Sequence, residues 1–386
     1  MSRSLRVQPR RVLSALMASA LTLVPLVLPL AGCDQPDYAP PTLIDHLRVI
    51  AVRAEPPYLG VAETNLELLA VGHDPQQPLC YAWSLCLFAW QEGGNYRCID
   101  PELAVDLGNG PSARASVLDL LPLLPKVPEV LQRKGLLPPD ELGGAGNGPD
   151  GGGGGGTDGA TDAGDEQQGL EVQVLFQVSE RALWGDACPD TATALAEPCP
   201  DRARCVAGFK GVALGVDGEG QPDPRYAHAN PTLTGVLYGE HGWPEATTLL
   251  LSPYRAEPAP ATPALPDTTG LRLEPTFPPS TLEVIQKSAD PGLPDVQETL
   301  VFSFFSTQGT FDYVQTGDNV PSNGFRPEAV ADDATAAARA VQLWIVARDN
   351  RGGVTWLTRR AEMAAPGAIP DDCIAKLPGA STCVAR

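Results

Sequence analysis

Short β-prone segments, each cut off by turn residues, recur along most of this chain and restrict it to an antiparallel, all-β fold. Leu47-Arg48-Val49-Ile50-Ala51-Val52 is apolar and β-branched, and Glu55-Pro56-Pro57 stops it. Residues 65–71 follow, ended by His73-Asp74-Pro75, and residues 79–85 form a third segment around Trp83. Branched and aromatic side chains suit a pleated, half-buried surface; proline lacks the amide that a sheet ladder needs, and Gly, Asn and Asp supply turns. The pattern resumes at 171–178 and 205–214, which complete a first sandwich with Trp83 in its core. A second set begins near Asn230-Pro231, with candidates at 232–238, 247–251, 271–274, 281–286, 298–306, 340–348 and 353–358. Seven short strands are the number in a small sandwich. The best-defined piece is the last hairpin, in which Val341 to Ala347 meets Val354-Thr355-Trp356-Leu357 across Asp349-Asn350-Arg351-Gly352-Gly353.

The N-terminus has the three parts of a secretory signal. Arg3, Arg6, Arg10 and Arg11 make a positive start without an acid, residues 12–32 carry no charge, and Leu30-Ala31-Gly32-Cys33 closes the stretch. That tetrapeptide resembles the bacterial lipobox. Small residues suit a peptidase cleft and the thiol is the acyl acceptor, so the resemblance implies diacylglycerol on Cys33, cleavage between Gly32 and Cys33, and acylation of the new amine. An uncleaved spanning helix is the alternative, and Pro25 and Pro29 argue against it. Two or more acyl chains anchor firmly, because each buried methylene contributes about 0.8 kcal/mol. The expectation is an exported protein of the cell envelope, lipid-anchored at the inner or the outer membrane. Residues 1–32 are then the signal, and 33–43 the lipidated cysteine with a short proline-rich tether.

Charge and cysteines narrow the surroundings. Removing the four signal arginines from 27 basic residues leaves 23 against 47 acidic ones, a net charge near −24 that disfavours nucleic acid and anionic lipid surfaces as partners. Once Cys33 is lipidated, Cys80, Cys86, Cys98, Cys188, Cys199, Cys205, Cys373 and Cys383 remain. An even set in an exported chain reads as disulfides. Cys373–Cys383, Cys86–Cys98 and Cys188–Cys199 are the local pairs expected, leaving Cys80–Cys205. Zinc fails on spacing: the chain has no C-x-x-C, and His46, His73, His228 and His241 are scattered.

About 350 mature residues suggest two domains. The first is placed at 44–228 with an insertion over about 100–168, the second at 229–362, and 363–386 is a tail with a disulfide loop. Within the insertion, Pro128 and Gly135 bracket one short helix. Residues 143–168 are rich in Gly and Asp and read as a disordered segment. Gly153 to Asp158 matches the start of a calcium-binding β-roll repeat, but it occurs once, and Ala160 stands where a large aliphatic residue is needed.

The segments 47–57 (LRVIAVRAEPP), Tyr81-Ala82-Trp83-Ser84, Asn230-Pro231-Thr232-Leu233-Thr234-Gly235-Val236 and 343–356 (LWIVARDNRGGVTW) resemble bacterial surface lipoproteins built of tandem immunoglobulin-like, including PKD-like, domains. The resemblance implies two immunoglobulin-like sandwiches in tandem and an envelope location, and it implies no ligand. The second domain departs from the pattern in carrying Phe302 to Phe305 where a tryptophan would sit.

No G-x-S-x-G, H-E-x-x-H, Walker loop or S-x-x-K occurs, so no catalytic residue, metal or cofactor is expected. Asp371-Asp372 and Asp332-Asp333 fall in loop-like stretches, and Asp349 is a turn residue. The tryptophans are Trp83, Trp90, Trp184, Trp243, Trp344 and Trp356. Trp344 and Trp356 lie on the two arms of one hairpin; sharing an exposed face, they would stack on a sugar or anchor a protein, and the alternative is that they are core. Tyr226, Tyr238, Trp243 and Tyr254 are expected to pack the two sandwiches together. The function expected is non-catalytic binding or spacing, with an envelope protein or a glycan as partner. A carbohydrate-binding accessory protein comes second and a hydrolase last. Cys33→Ala is expected to abolish incorporation of a fatty-acid probe in cells; labelling that persists would exclude the lipobox.

Overall fold

The computed structural model describes residues 41–72, 77–92, 95–137, 171–185, 187–196, 199–216, 228–252, 270–286, 296–328, 335, 339–365, 367–370, 372–381 and 383–385. Residues 1–32, Cys33 and the Gly/Asp-rich stretch 143–168 lie outside them. The first half contributes β1 (Arg48–Glu55), β2 (Tyr58–Leu59), β3 (Thr64–Val71), β4 (Leu79–Cys86), β5 (Ala89–Glu92), β6 (Asn95–Cys98), β7 (Ala104–Gly108), β8 (Ser112–Ala115), β9 (Glu171–Glu180) and β10 (Cys205–Leu214), with helices α1 (Val127–Arg133) and α2 (Thr191–Ala196). The second contributes β11 (Gly235–Tyr238), β12 (His241–Gly242), β13 (Leu249–Leu251), β14 (Leu271–Thr276), β15 (Val284–Gln286), β16 (Val296–Gln297), β17 (Leu300–Ser306), β18 (Thr310–Phe311), β19 (Gln315–Gly317), β20 (Asn323–Arg326), β21 (Ala340–Asp349), β22 (Val354–Met363), β23 (Cys373–Lys376) and β24 (Val384–Ala385).

The first sandwich pairs sheet β1-β3-β8 with sheet β2-β10-β9-β4-β7. Side-chain alternation builds its core: along β3, Thr64, Leu66 and Leu68 are buried while Asn65 is exposed, the two-residue period of a half-buried strand. Trp83 is fully buried, with its ring centre 6.1 Å from that of Phe176. Its Nε1 donates to the Gly110 carbonyl at 2.8 Å, so the buried indole leaves no unpaired donor.

The second half repeats this topology strand for strand. Order β11-β14-β20 matches β1-β3-β8, and β13-β22-β21-β17-β19 matches β2-β10-β9-β4-β7. The sense of pairing repeats as well, since β2 runs parallel to β10 and β13 parallel to β22. The chain therefore holds two immunoglobulin-like β-sandwiches in tandem. Where the first has Trp83, the second has Phe302 and Phe304, both fully buried.

Three expected boundaries move. Residues 104–115 belong to the first sandwich rather than to an insertion starting near 100, because β8 pairs with β3 and β7 with β4. Their polar residues disguised them: in β8, Ser112 and Arg114 face solvent and only the small Ala113 and Ala115 face the core. The insertion begins at Ser116, and α1 carries Pro in its first turn with Gly135 (φ +70°) just past its end. The region 363–386 is not a free tail. Strand β23 pairs with β13, and Ile374 and Ala375 join the second core, covering an edge that would otherwise expose unpaired amides. Nor is the tether free at its end. The Ile44 amide donates to the Ser306 carbonyl at 2.8 Å, and the Ser306 amide donates to the Thr42 carbonyl at 2.9 Å.

All of these strands belong to one unit, Ala39–Arg386, and a separate apolar cluster joins the sandwiches. Ile44, Ile50, Ala51 and Val71 meet Trp344, Val346 and Val354. Polar groups seal its margin: Arg348 donates to the Ile50 carbonyl at 2.5 Å, and Lys210 Nζ to the Gly352 carbonyl at 2.7 Å. Asn230 donates to the Ala54 carbonyl at 2.7 Å and accepts from the Val354 amide at 2.7 Å. Tyr238 and Trp243 do not serve this junction. They pack edge to face inside the second core, 6.3 Å apart; Tyr226 and Tyr254 lie outside the described residues. Trp344→Ala should cost about 3–5 kcal/mol through the cavity it opens. In calorimetry it should separate the unfolding of the two sandwiches, which the wild type is expected to show as one transition.

Candidate functional site

Trp344 and Trp356 do share one face of the second sandwich, but the first sandwich covers it. Trp344 is 4% exposed. Trp356 is partly buried with the Arg53 guanidinium 4.6 Å from its ring centre. Neither presents a free ring to a sugar, and the expected binding face is instead the joint between domains. Residue type and spacing alone do not distinguish an apolar face covered by a neighbouring domain from one left open. Asp349 is a turn residue, its Oδ1 accepting from the amides of Arg351 and Gly353 at 2.8 and 2.7 Å.

The exposed tryptophan of consequence is Trp90, on the hairpin β5–β6. Its register sets Trp90 opposite Arg97 and Gln91 opposite Tyr96. Adjacent positions on a strand face opposite ways, so the hairpin has two functions. Tyr96 packs its ring 4.8 Å from Phe209 of β10 and seats the hairpin on the sandwich. Trp90, 57% exposed, and Arg97 face the other way and wall a pocket of about 500 Å³. Ser84, Ala104 and Leu175, from the outer face of the five-stranded sheet, line it beneath them, together with Thr191 and Leu195 of α2.

Disulfides hold this arrangement. Cys86–Cys98 clamps the base of the hairpin, and Cys80–Cys188 and Cys199–Cys205 tie down both ends of the segment that carries α2. Three of the four bonds therefore frame one pocket, and the fourth, Cys373–Cys383, lies in the second sandwich. Two pairs differ from the expected Cys188–Cys199 and Cys80–Cys205. Cys80 and Cys205 both register with Ser179, from opposite sides of β9. Two strand spacings, about 9–10 Å, then separate them, beyond the roughly 7 Å that a disulfide spans. Each takes a cysteine from the α2 segment instead.

Polar groups in the pocket are unevenly engaged. Ser84 Oγ donates to the Val105 carbonyl at 3.0 Å and Thr191 Oγ1 to the Gly108 carbonyl at 3.2 Å. Asp106 is exposed and accepts the Gly108 amide at 2.8 Å through Oδ1. Arg97 has no hydrogen-bond or ion-pair partner among the described residues, and its Nε is buried. One signal in the sequence did mark this pair: Gly93-Gly94 lies between Cys86 and Cys98. A Gly-Gly pair between strand-like flanks is a two-residue hairpin turn, and it puts position 90 opposite 97.

Behind the pocket, Asp100 fastens the insertion to the hairpin. It is 6% exposed, its Oδ1 accepts the Glu102 amide at 3.0 Å, and its Oδ2 meets Arg133 at 3.1 Å and Lys134 at 3.4 Å. The amide bond first, and then the two cations, hold its carboxyl below the usual carboxylate range.

No protein-family model and no curated protein matches this chain. Among solved structures, the three N-terminal domains of the bacteriophage RB49 Highly Immunogenic Outer Capsid protein (Hoc) share 8% identity with it, over 83% of this chain and 70% of that one, at a TM-score of 0.16. A likeness of that size carries no weight; the sandwich assignment rests on the strand order above. Four disulfides place the folded chain in an oxidising, extracytoplasmic compartment. No helix among the described residues is long and apolar enough to cross a membrane.

A depressed native pKa stabilises the fold above the unfolded value, about 3.9 for Asp, and that contribution is lost as pH falls through the native value. Asp100→Asn should therefore lower the urea midpoint at pH 7, and the deficit should shrink at pH 3. An equal deficit at both values would show that the carboxylate charge is not what holds the insertion.

Proposed function

We propose that this protein is a non-catalytic binding module of the bacterial envelope, anchored by acyl chains on Cys33 and presenting the pocket beside Trp90. The observation that carries the reading is the concentration of three disulfides around that one pocket. A spacer needs two stable sandwiches, which the joint and the cores already supply. It has no use for a braced hairpin that exposes an indole beside an unpaired arginine. Bracing lowers the ordering cost of association, which is how a preorganised site gains affinity. The pocket's two hydroxyls are committed to backbone carbonyls, so it offers no nucleophile next to a base. The anchor rests on Leu30-Ala31-Gly32-Cys33 and the charge-free stretch before it, and it agrees with an oxidising location. Partners of this reading are envelope glycans or proteins.

Phase separation and thiol titration test it together. The wild type should partition into detergent and Cys33→Ala into the aqueous phase. In both, the eight remaining cysteines should resist alkylation until reduced. Aqueous partitioning of the wild type would remove the anchor, and alkylation without reduction would remove the exported, braced module.

A further inference from the structure

Resting on that reading of the pocket, we infer that its ligand is a saccharide carrying a carboxylate on one ring, a uronate-type sugar among neutral ones. Two cross-strand neighbours carry the inference. Trp90 exposes more than half its surface and makes no ring contact among the described residues. A free indole face over an apolar floor matches the C–H face of a pyranose, as aromatic platforms do for flat, partly apolar partners. Arg97 lies directly opposite it in the hairpin register, where side chains stand about 5 Å apart. In a chain with 47 acidic and 27 basic residues, this guanidinium nonetheless has no carboxylate partner among the described residues. Its planar fork pairs with carboxylate oxygens through two parallel bonds, and a bound carboxylate would give this guanidinium a partner.

The remaining groups complete a sugar site. Asp106 Oδ2 has no partner among the described residues and is available to ring hydroxyls, and a volume of about 500 Å³ lies within the range of small-ligand sites. A purely apolar ligand would leave Arg97 unsatisfied. A dense polyanion would meet the net charge of −20, which repels it at range. One acidic ring next to neutral rings satisfies both constraints.

The test uses the full chain as Cys33→Ala, titrated by tryptophan fluorescence and calorimetry. The probes are maltotriose, the same trisaccharide with glucuronic acid in place of its non-reducing glucose, and 1-naphthoate. The acidic trisaccharide should bind at least ten-fold more tightly than the neutral one. Arg97→Gln should erase that preference while keeping neutral binding, and Arg97→Lys, which keeps the charge without the fork, should restore only part of it. Trp90→Ala should weaken both sugars at least ten-fold, and Trp90→Phe should recover much of the loss; Trp90 is surface-exposed, and an unchanged melting curve checks the fold. Equal binding of both sugars would overturn the carboxylate inference. Naphthoate binding that depends on Trp90 and Arg97, with neither sugar bound, would overturn the saccharide and leave the pocket standing. Silence with all three probes would overturn the pocket as well.

Discussion

Strand β1 is an edge of its sheet, and its contact with the second sandwich is what makes two sandwiches one body. An open edge presents carbonyls and amides that need partners. Here the pairing of β1 with β3 slips at Ile50, and Arg348 takes the carbonyl at that slip. Asn230 takes Ala54 a turn further on. Around these bonds, Trp344, Val346 and Val354 cover Ile50 and Ala51. Apolar burial supplies the attraction, and the side-chain bonds satisfy the Ile50 and Ala54 carbonyls there.

The repeated topology shows how one framework was put to two uses. Both halves share the order of eight strands and the single parallel pairing. The second half commits the outer face of β17, β21 and β22 to the joint, and gains β23 and β24 along one edge. The first half leaves its corresponding outer face open, and there the hairpin, α2 and three disulfides build walls around a pocket. On the core side the aromatics differ, with Trp83 and Phe176 in one and Tyr238, Trp243, Phe302, Phe304 and Phe325 in the other.

Much of this was legible from alternation and turn residues, because strands such as β3, β9 and β21 carry branched side chains at every second position. β8 was not, since alanine fills its core positions and its outward residues are polar; nor was β7, which turns Val105 and Leu107 inward but is only five residues long. The cysteine pairing was legible at Cys86–Cys98 and Cys373–Cys383, though not at the still shorter loop Cys199–Cys205. It failed where sheet order decides, because no local pattern reveals that β9 separates Cys80 from Cys205. The tryptophans show the same limit. Trp344 and Trp356 carry a stronger pattern than Trp90, yet exposure depends on which neighbour covers the face, and that neighbour lies some 300 residues away in sequence, as in the bond from Arg348 to Ile50.

The docking of Thr42 to Ile44 beside Ser306 has a mechanical consequence. If Cys33 carries the proposed lipid, the nine residues from Asp34 to Thr42 can span at most about 30 Å before the chain is made fast to the second sandwich. Tension between a captured ligand and the membrane would run from the hairpin, through the first core and across the joint, to β17. Strand β1, whose contact with the second sandwich makes the joint, lies on that line. The weakest link on that line is the noncovalent joint, whereas the disulfide-framed pocket would hold its shape under load.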